Sequence, residues 1–445
     1  MAAVAEDKDA YRAGFERFAA AQSDPVWLRE RRTAAMARFV DRGLPTARDE
    51  AWRHTPLAPL AKGRFVPADP AARASADALA ALPLEGLRGV RVVLVNGRLS
   101  PELSSLHPGQ PGVEVTSLRE VLRSQPGRLE GWLGCVADGR TGVFADLNTA
   151  FAEDGVVVLL APGAILNEPI HVAHLSAGDG EPAVSYARTL VVAGQGSECR
   201  LVETFTSSAA SASLTNAVTE VVVEDNALVN RYKLQQEGAS ALHVATLAAR
   251  LGRDARFADH SLSFGAALSR NDIDVRFEAE GGDCALDGLF VVDGRRVADT
   301  HSRIEHAQPH CSSRQLYKGV LDGQARGVFN GLVVVRAGAQ KTDALQMNRN
   351  LLLSREALVH STPQLEILAD DVKCKHGSTT GQLDANALFY LRSRGIGEAE
   401  ARGLLTWAFA SDLVRKLEIA PLRREVGRQL QASLPGLAGL AEALP

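Results

Sequence analysis

The chain has 445 residues, 46% of them hydrophobic and 23% charged, with a formal net charge of -4. That size allows two or three domains around a large buried core, and the lack of any basic excess removes the electrostatic case for nucleic acid or an anionic membrane surface. Aromatics at 5% disfavour a surface built to stack bases.

The N-terminus, MAAVAEDKDAYRAGFERF, mixes acids and bases and has no apolar stretch ahead of a cleavage site, so it does not read as a signal peptide. Tyr11, Phe15 and Phe18, then Trp27, Leu28, Met36 and Phe39, recur at helical spacing and predict helices over about the first forty residues. GLPTARDEAWRHTPLAPL is dense in turn formers and predicts a loop, and Gly86 to Leu99 predicts strands. The stretch to about residue 135 is mixed. The longest apolar run, GVVVLLAPGAIL from Gly155, is too short to span a bilayer and is broken by Pro162 and Gly163. A cytoplasmic location is the default expectation.

From about Gly155 the texture changes to short Val- and Leu-rich runs punctuated by Gly, Asp and Asn, as in TLVVAGQGSECRLVETF and TEVVVEDNALVNRYKL. Each unit is an alternating run, a polar turn and a small residue that restarts the strand. Restarts at His171, Cys199, Ala227, Ala255, Cys284, Cys311 and Gln340 recur about every 28 residues. A sustained period of that length is a solenoid signal, and with no long helical stretch between the strands it predicts a parallel β-helix. An antiparallel sandwich with turns at similar intervals is the alternative. After Gly381, Asp384 is placed to cap a helix through NALFYLRSRG that ends at Gly395. A second helix carries Ala401, Leu404, Leu405, Ala408, Phe409, Leu413 and Leu417 on one face, and a third follows Pro421 with Leu422, Val426 and Leu430. The expected organisation is mainly β: an N-terminal helical or mixed domain over 1–135, a β-helix core over 136–383, and a C-terminal helical domain over 384–445.

Chemistry has few candidate places. No G-x-x-x-x-G-K-[ST], H-E-x-x-H or G-x-S-x-G occurs, so nucleotide hydrolysis by this chain is not expected. GQGSEC from Gly194 lies among strands and reads as a turn. The five cysteines, Cys135, Cys199, Cys284, Cys311 and Cys374, form no C-x-x-C, which argues against a disulfide framework or a self-contained metal site. In THSRIEHAQPHC, Pro309 opposes a helix that would align His306 and His310; a strand could still align them, but His301, His306 and His310 read better as polar residues lining a solenoid turn. The stretch DVKCKHGSTTG from Asp371 is more informative. Taken as the last solenoid strand with EILA before it, period-two alternation sets Val372, Cys374 and His376 on one face and Asp371, Lys373 and Lys375 on the other, with thiol and imidazole about 7 Å apart at the backbone. The lysines are expected to favour thiolate at Cys374. Two ligands do not complete a tetrahedral site, so a second chain would supply the rest. The plainer reading has Cys374 packing as a small hydrophobe and His376 bonded to the Gly377 turn.

The runs YKGVLDGQARGVFNGLVVV from Tyr317, AQKTDALQMNRNLLLS, LEILADDVKCKHGSTTGQLD and FYLRSRGI resemble the SufB/SufD family of iron–sulfur cluster assembly proteins. KCKHG followed by FYLRSRGI is more similar to the SufD side of that family, and LPTARDEAWRHTPL resembles its N-terminal lead-in. The resemblance covers nearly the whole chain and is most specific from Tyr317 to Ile396. It implies a non-catalytic scaffold that pairs with a SufB paralogue through the β-helix ends and holds an ABC-type ATPase, SufC, on its C-terminal helices. It implies His376 as a ligand to iron or a nascent cluster shared with the partner chain, with Cys374 beside it. It also implies Tyr390, Arg392, Arg394, Trp407 and Phe409 as contacts of the ATPase. Where the family often has Tyr, this chain has His54, a departure that touches no expected site. A β-helical polysaccharide enzyme is the reading from another class, but no clear carboxylate pair is visible. A homodimeric metal-binding β-helix protein shares the expected fold and differs only in its partner.

Overall fold

The alternating runs do form parallel strands, and they wind into a β-helix in a computed structural model that describes residues 2–62, 65–68, 74, 82–84, 86–107, 109–177, 182–207 and 212–434. Helices α1 (Ala2–Ala20), α2 (Val26–Arg42) and α3 (Ala58–Lys62) precede β1 (Val66–Pro67), β2 (Val90–Val95), β3 (Arg98–Leu99) and β4 (Val113–Ser117), then α4 (Leu118–Ser124) and α5 (Val143–Phe151). The chain then alternates between two sheets. The first takes β5 (Gly155–Leu160), β7 (Ala183–Ala193), β9 (Ser213–Val223), β11 (Leu242–Leu251), β13 (Leu268–Phe277), β15 (Val297–His306), β17 (Arg326–Val335) and β19 (Leu358–Ile367). The second takes β6 (Ile170–Ser176), β8 (Glu198–Ser207), β10 (Leu228–Gln235), β12 (Arg256–Ser263), β14 (Asp283–Val292), β16 (Ser312–Leu321), β18 (Asp343–Leu352) and β20 (Lys373–Gly381). Three helices close the described chain: α6 (Ala385–Ser393), α7 (Glu398–Arg415) and α8 (Ala420–Ser433). The expected C-terminal domain runs on to 445, and its residues 435–445 lie outside those described.

The period is as expected but the register is not. Leu228 pairs with Glu198, thirty positions earlier, and with Arg256, twenty-eight later, so Cys199 lies beside Val229 and not Ala227. What recurs at the restart positions is a corner: Gly196, Asn226, Asp254, Gly281, His310 and Lys341 all have φ between 52° and 78°. Each stacks on the next turn by a backbone bond, Asn226 N–H to Arg253 O and His310 N–H to Gln340 O among them. Gly, Asn and Asp take this left-handed conformation at least cost, which is why a polar turn recurs. A small buried residue follows it, as at Ala227, Ala255 and Cys311. The Gly194 turn is the first of these corners and is a turn as expected. His310 therefore sits in a corner, while His306 ends β15 buried, its Nε2 2.9 Å from Ser313 Oγ. The two histidines are not aligned, and of His301, His306 and His310 only His306 is buried.

Both outer faces of the solenoid are covered at its N-terminal and central turns. On the first sheet, Phe15, Met36, Phe39, Phe144 and Phe151 from the N-terminal helices pack on Val184, Leu214, Leu242, Val244 and Val297. On the second, Trp407, Leu413, Val414, Leu417, Leu422, Val426 and Leu430 pack on Val202, Tyr232, Leu234, Leu262, Leu289 and Val320. Strands buried on both faces read as continuous apolar runs, and each fully buried Leu, Val or Phe contributes about 1.5–3 kcal/mol relative to exposure. Asp384 caps α6 by accepting from the Asn386 N–H at 2.9 Å, and Gly395, with φ +87°, ends it, both as expected. The apolar stripe expected on α7 is rotated. Ala408 is exposed and Leu404 and Leu405 are half-buried, whereas Gly403, Thr406, Trp407, Ala410, Ser411 and Val414 are buried. Small residues let the helix approach its neighbours closely, and hydrophobicity alone does not register that. Among the described residues no helix is long and apolar enough to cross a membrane.

The solenoid interior is apolar in part and ionic in part. Arg231 Nε lies 2.6 Å from Glu203 Oε2 and its Nη1 2.6 Å from Asp259 Oδ1. Thr189 and Thr219 hydroxyls donate to Glu203. Burial opposes the Glu203 charge, but Arg231 and His174 hold its carboxyl well below the usual range. Lys233, lowered to about 7 by burial and by Arg231, donates to Asn271. Burial, aided by Arg91, drives His171 to about 3, and burial alone drives His306 to about 4.

These two histidines set a pH dependence. The unfolded chain takes up their protons near pH 6.5 and the folded chain does not, so stability falls as pH drops from about 6.5 towards 4, by up to about 1.4 kcal/mol per unit for each. Above that window both are neutral in either state and contribute no slope. Denaturation midpoints measured across pH 4–7 should show this loss, and a His171→Asn/His306→Asn double variant should lessen it without abolishing it, because burial also lowers His243 to about 4; an unchanged slope would remove these two groups as its cause.

Candidate functional site at the open end of the solenoid

Strands β19 and β20 close the two sheets, and each pairs on one side only among the described residues, with β17 and β18. Their free edges present unpaired backbone groups of the kind that add a further strand. The contrast in burial is large: every residue of β9 is buried, and none of β20 is. Around this end Leu345, Leu358, Ile367 and Leu368 are exposed, Leu368 at 54%. The expected last strand is shorter than read from sequence. Glu366 and Ile367 end β19, residues 368–372 make the turn, and β20 starts at Lys373, because the corner at this level falls after Leu368.

Cys374 and His376 lie two apart on β20, hence on one face. Cys374 pairs in register with Ala344 and His376 with Gln346. Ala344 and Gln346 are both buried inside the solenoid, and Gln346 Nε2 donates to Gln315 Oε1 at 2.8 Å. The two side chains thus continue interior columns at the point where the stack stops. Cys374 is half-buried against Val333, Val335, Ala339, Ala344 and Ala369, and His376 is exposed. Hydroxyls share the mouth: Ser378 Oγ is 2.8 Å from Ser361 Oγ, which donates to Asn348 Oδ1. The expectation that Lys373 and Lys375 favour thiolate is not met. Burial raises the Cys374 thiol above its ordinary value and Asp343 adds to the shift, while both lysines are exposed on the opposite face by alternation. No group of three or more His, Cys, Asp or Glu side chains is placed to hold a metal ion among the described residues. A thiol and an imidazole at one mouth can contribute two ligands of four.

The five residues expected to contact an ATPase do not share one open face. Tyr390, Arg392 and Arg394 are exposed on or beside α6, with the Arg394 guanidinium 5.2 Å from the Tyr390 ring centre. Trp407 is buried in the cluster against the second sheet, and Phe409 is half-buried beneath Lys318, 4.7 Å from its ring centre. Phe389 is 73% exposed beside Tyr390, and sequence carries no signal for it because an apolar helical residue reads as core; α6 has no buried residue at all. His301 is half-buried, its Nε2 3.0 Å from Asp299 Oδ1. His54, unconnected to any expected site, stacks on His360 of β19 with ring centres 3.8 Å apart.

A family model described as "SUF system FeS cluster assembly, SufBD core domain" matches residues 174–409, and one described as "SufBD protein N-terminal region" matches residues 8–172. The chain is 35% identical over 390 residues to an iron-sulfur cluster assembly SufBD family protein of Synechocystis sp., covering 85% of each. It is 33% identical over 398 residues to the iron-sulfur cluster assembly protein SufD of Escherichia coli, covering 88% of this chain and 90% of that one. A SufBD family protein of Mycobacterium tuberculosis is 30% identical over 400 residues, 88% of this chain and 89% of its own length.

Proposed function

The chain belongs to the SufBD family of the SUF iron–sulfur cluster assembly system, and from that premise we propose that it is the SufD-type scaffold of a complex with a SufB paralogue and a separate SufC-type ATPase. The observation that carries this reading is the open end of the solenoid, where a free strand edge, exposed apolar side chains and the Cys374/His376 pair meet. The SufB-type chain docks there, edge to edge, and completes the ligand set. Iron or a nascent cluster is cargo at this junction. His376 offers a ring-nitrogen lone pair, and Cys374 binds once its proton leaves on metal binding. The exposed α6 surface, with Phe389, Tyr390, Arg392 and Arg394, receives the ATPase. A cytoplasmic complex fits this role.

Co-expression with SufB-like and SufC-like partners, followed by native mass spectrometry, tests the arrangement. Leu368→Asp buries a charge at the strand-end junction and is expected to weaken retention of the SufB-like chain by about tenfold or more. Phe389→Asp should release the ATPase and leave the paralogue bound. Loss of neither partner would refute the assigned surfaces, and a wild type that forms only homodimers would give the end face to a second copy of this chain.

A further inference from the structure

The segment leading into α3 and the outer face of the first sheet enclose a cleft of about 560 Å³, within the range that takes a small organic ligand. Its rim is held at several points. Arg270 donates to Ala51 O at 2.8 Å and lies 3.7 Å over the Trp52 ring. Thr55 Oγ1 donates to Asp299 Oδ2 at 2.5 Å, and the His54 ring stacks on that of His360 at an interplanar angle of 14°. These contacts fix residues 51–55 against β13, β15 and β19, so the cleft is formed before anything enters it.

Its lining is one-sided in charge. Lys8, Arg53, His54, Arg326 and His360 face it and no carboxylate does. Lys8 Nζ donates to Asp41 O at 3.0 Å, and the nearby Asp299 is taken up by Arg270, Thr55 and His301. Arg53 and Arg326 form no ion pair among the described residues. Phe39, Leu44, Pro45, Pro56 and Leu57 supply an apolar wall. Burial first, and then His54 and Arg326, hold the His360 imidazole below its ordinary pKa; an anion would relieve the two charge contributions. A metal ion does not suit the site, because stacked imidazoles point their ring nitrogens along parallel planes and not at one centre.

We propose that this cleft binds a small phosphate-bearing organic molecule, its phosphate taken by the Arg53 and Arg326 guanidiniums and its apolar part lying on Phe39, Leu44, Pro45 and Leu57. Planar guanidiniums match phosphate oxygens in pairs, and the two that line the cleft have no other anion to serve. The site is on the outer face of the first sheet, and the proposal does not rest on the cluster reading.

Calorimetric titration of the full chain with phenyl phosphate, and in parallel with inorganic phosphate, tests it. Saturable binding at one site is expected, tighter for phenyl phosphate. The Arg53→Gln/Arg326→Gln double variant should weaken it by about 100-fold, roughly tenfold for each charge-assisted contact. Arg295→Gln, at an exposed residue outside the cleft bonded to Gln324, should change nothing. Both replaced cleft residues are exposed, so the fold survives, and circular dichroism confirms it. Absence of saturable binding, or equal weakening by Arg295→Gln, would overturn the site. Equal affinity for the two phosphates would overturn its organic occupant.

Discussion

Arg231→Met is expected to lower the stability of the chain by about 3–5 kcal/mol, the cost of leaving buried charge without its counter-charge. Glu203 and Asp259 are 1% and 0% exposed, and each lies 2.6 Å from Arg231. Neither carboxylate is exposed enough for solvent to replace the guanidinium, and methionine supplies volume without charge. The effect should appear as a fall in the thermal midpoint and in soluble yield, and should be larger than for any surface substitution, which typically stays within about 0.5 kcal/mol. A Glu203→Leu/Arg231→Met/Asp259→Leu variant should recover much of the loss, since exchanging a whole buried ionic set for apolar groups of similar volume is often neutral. Thr189 and Thr219 would then keep unsatisfied hydroxyls, so recovery should be incomplete. Wild-type stability in the single variant would show that the three ions are not coupled as drawn.

The second large effect is expected at His376. In the anaerobically co-expressed complex, His376→Ala should reduce iron and sulfide per complex by at least about tenfold, given that even residues one step removed from a metal change its retention by 10–100-fold. Because the side chain is exposed and makes no interior contact that the fold needs, the variant should assemble and melt as the wild type does. Cys374→Ala should reduce cluster content less and alter its pH dependence. A thiol raised by burial and by Asp343 must lose its proton before it binds, so wild-type retention should rise more steeply with pH than the variant's. Unchanged iron and sulfide in His376→Ala would leave the chain a scaffold without a ligand.

Much of this was legible in one dimension. Corner residues recur about once per turn, and left-handed corners admit few residue types, so Asn226 and Asp254 announce the solenoid without any knowledge of its packing. Asp384 and Gly395 bound α6 for equally local reasons, a side-chain oxygen for a free N–H and a backbone without Cβ. The nearness of Cys374 and His376 follows from strand alternation alone. What lay beyond the sequence depends on neighbours from distant turns. In the Glu203–Arg231–Asp259 chain, Arg231 meets its register partner Asp259 and reaches diagonally to Glu203, which pairs with Lys233, in a register that Cys199 and Ala227 misreported, since Cys199 lies in a strand and Ala227 in the corner before one. Trp407 is buried and Phe389 exposed because α7 packs on the second sheet while α6 buries no residue. His54 gained a partner only when residues 51–55 crossed to β19, more than 300 positions on. Local backbone chemistry is written residue by residue, so the sequence by itself determined the solenoid, its helical ends and the paired thiol and imidazole. Burial, charge pairing and the basic cleft are sums over contacts between turns, and only the tertiary structure decided them.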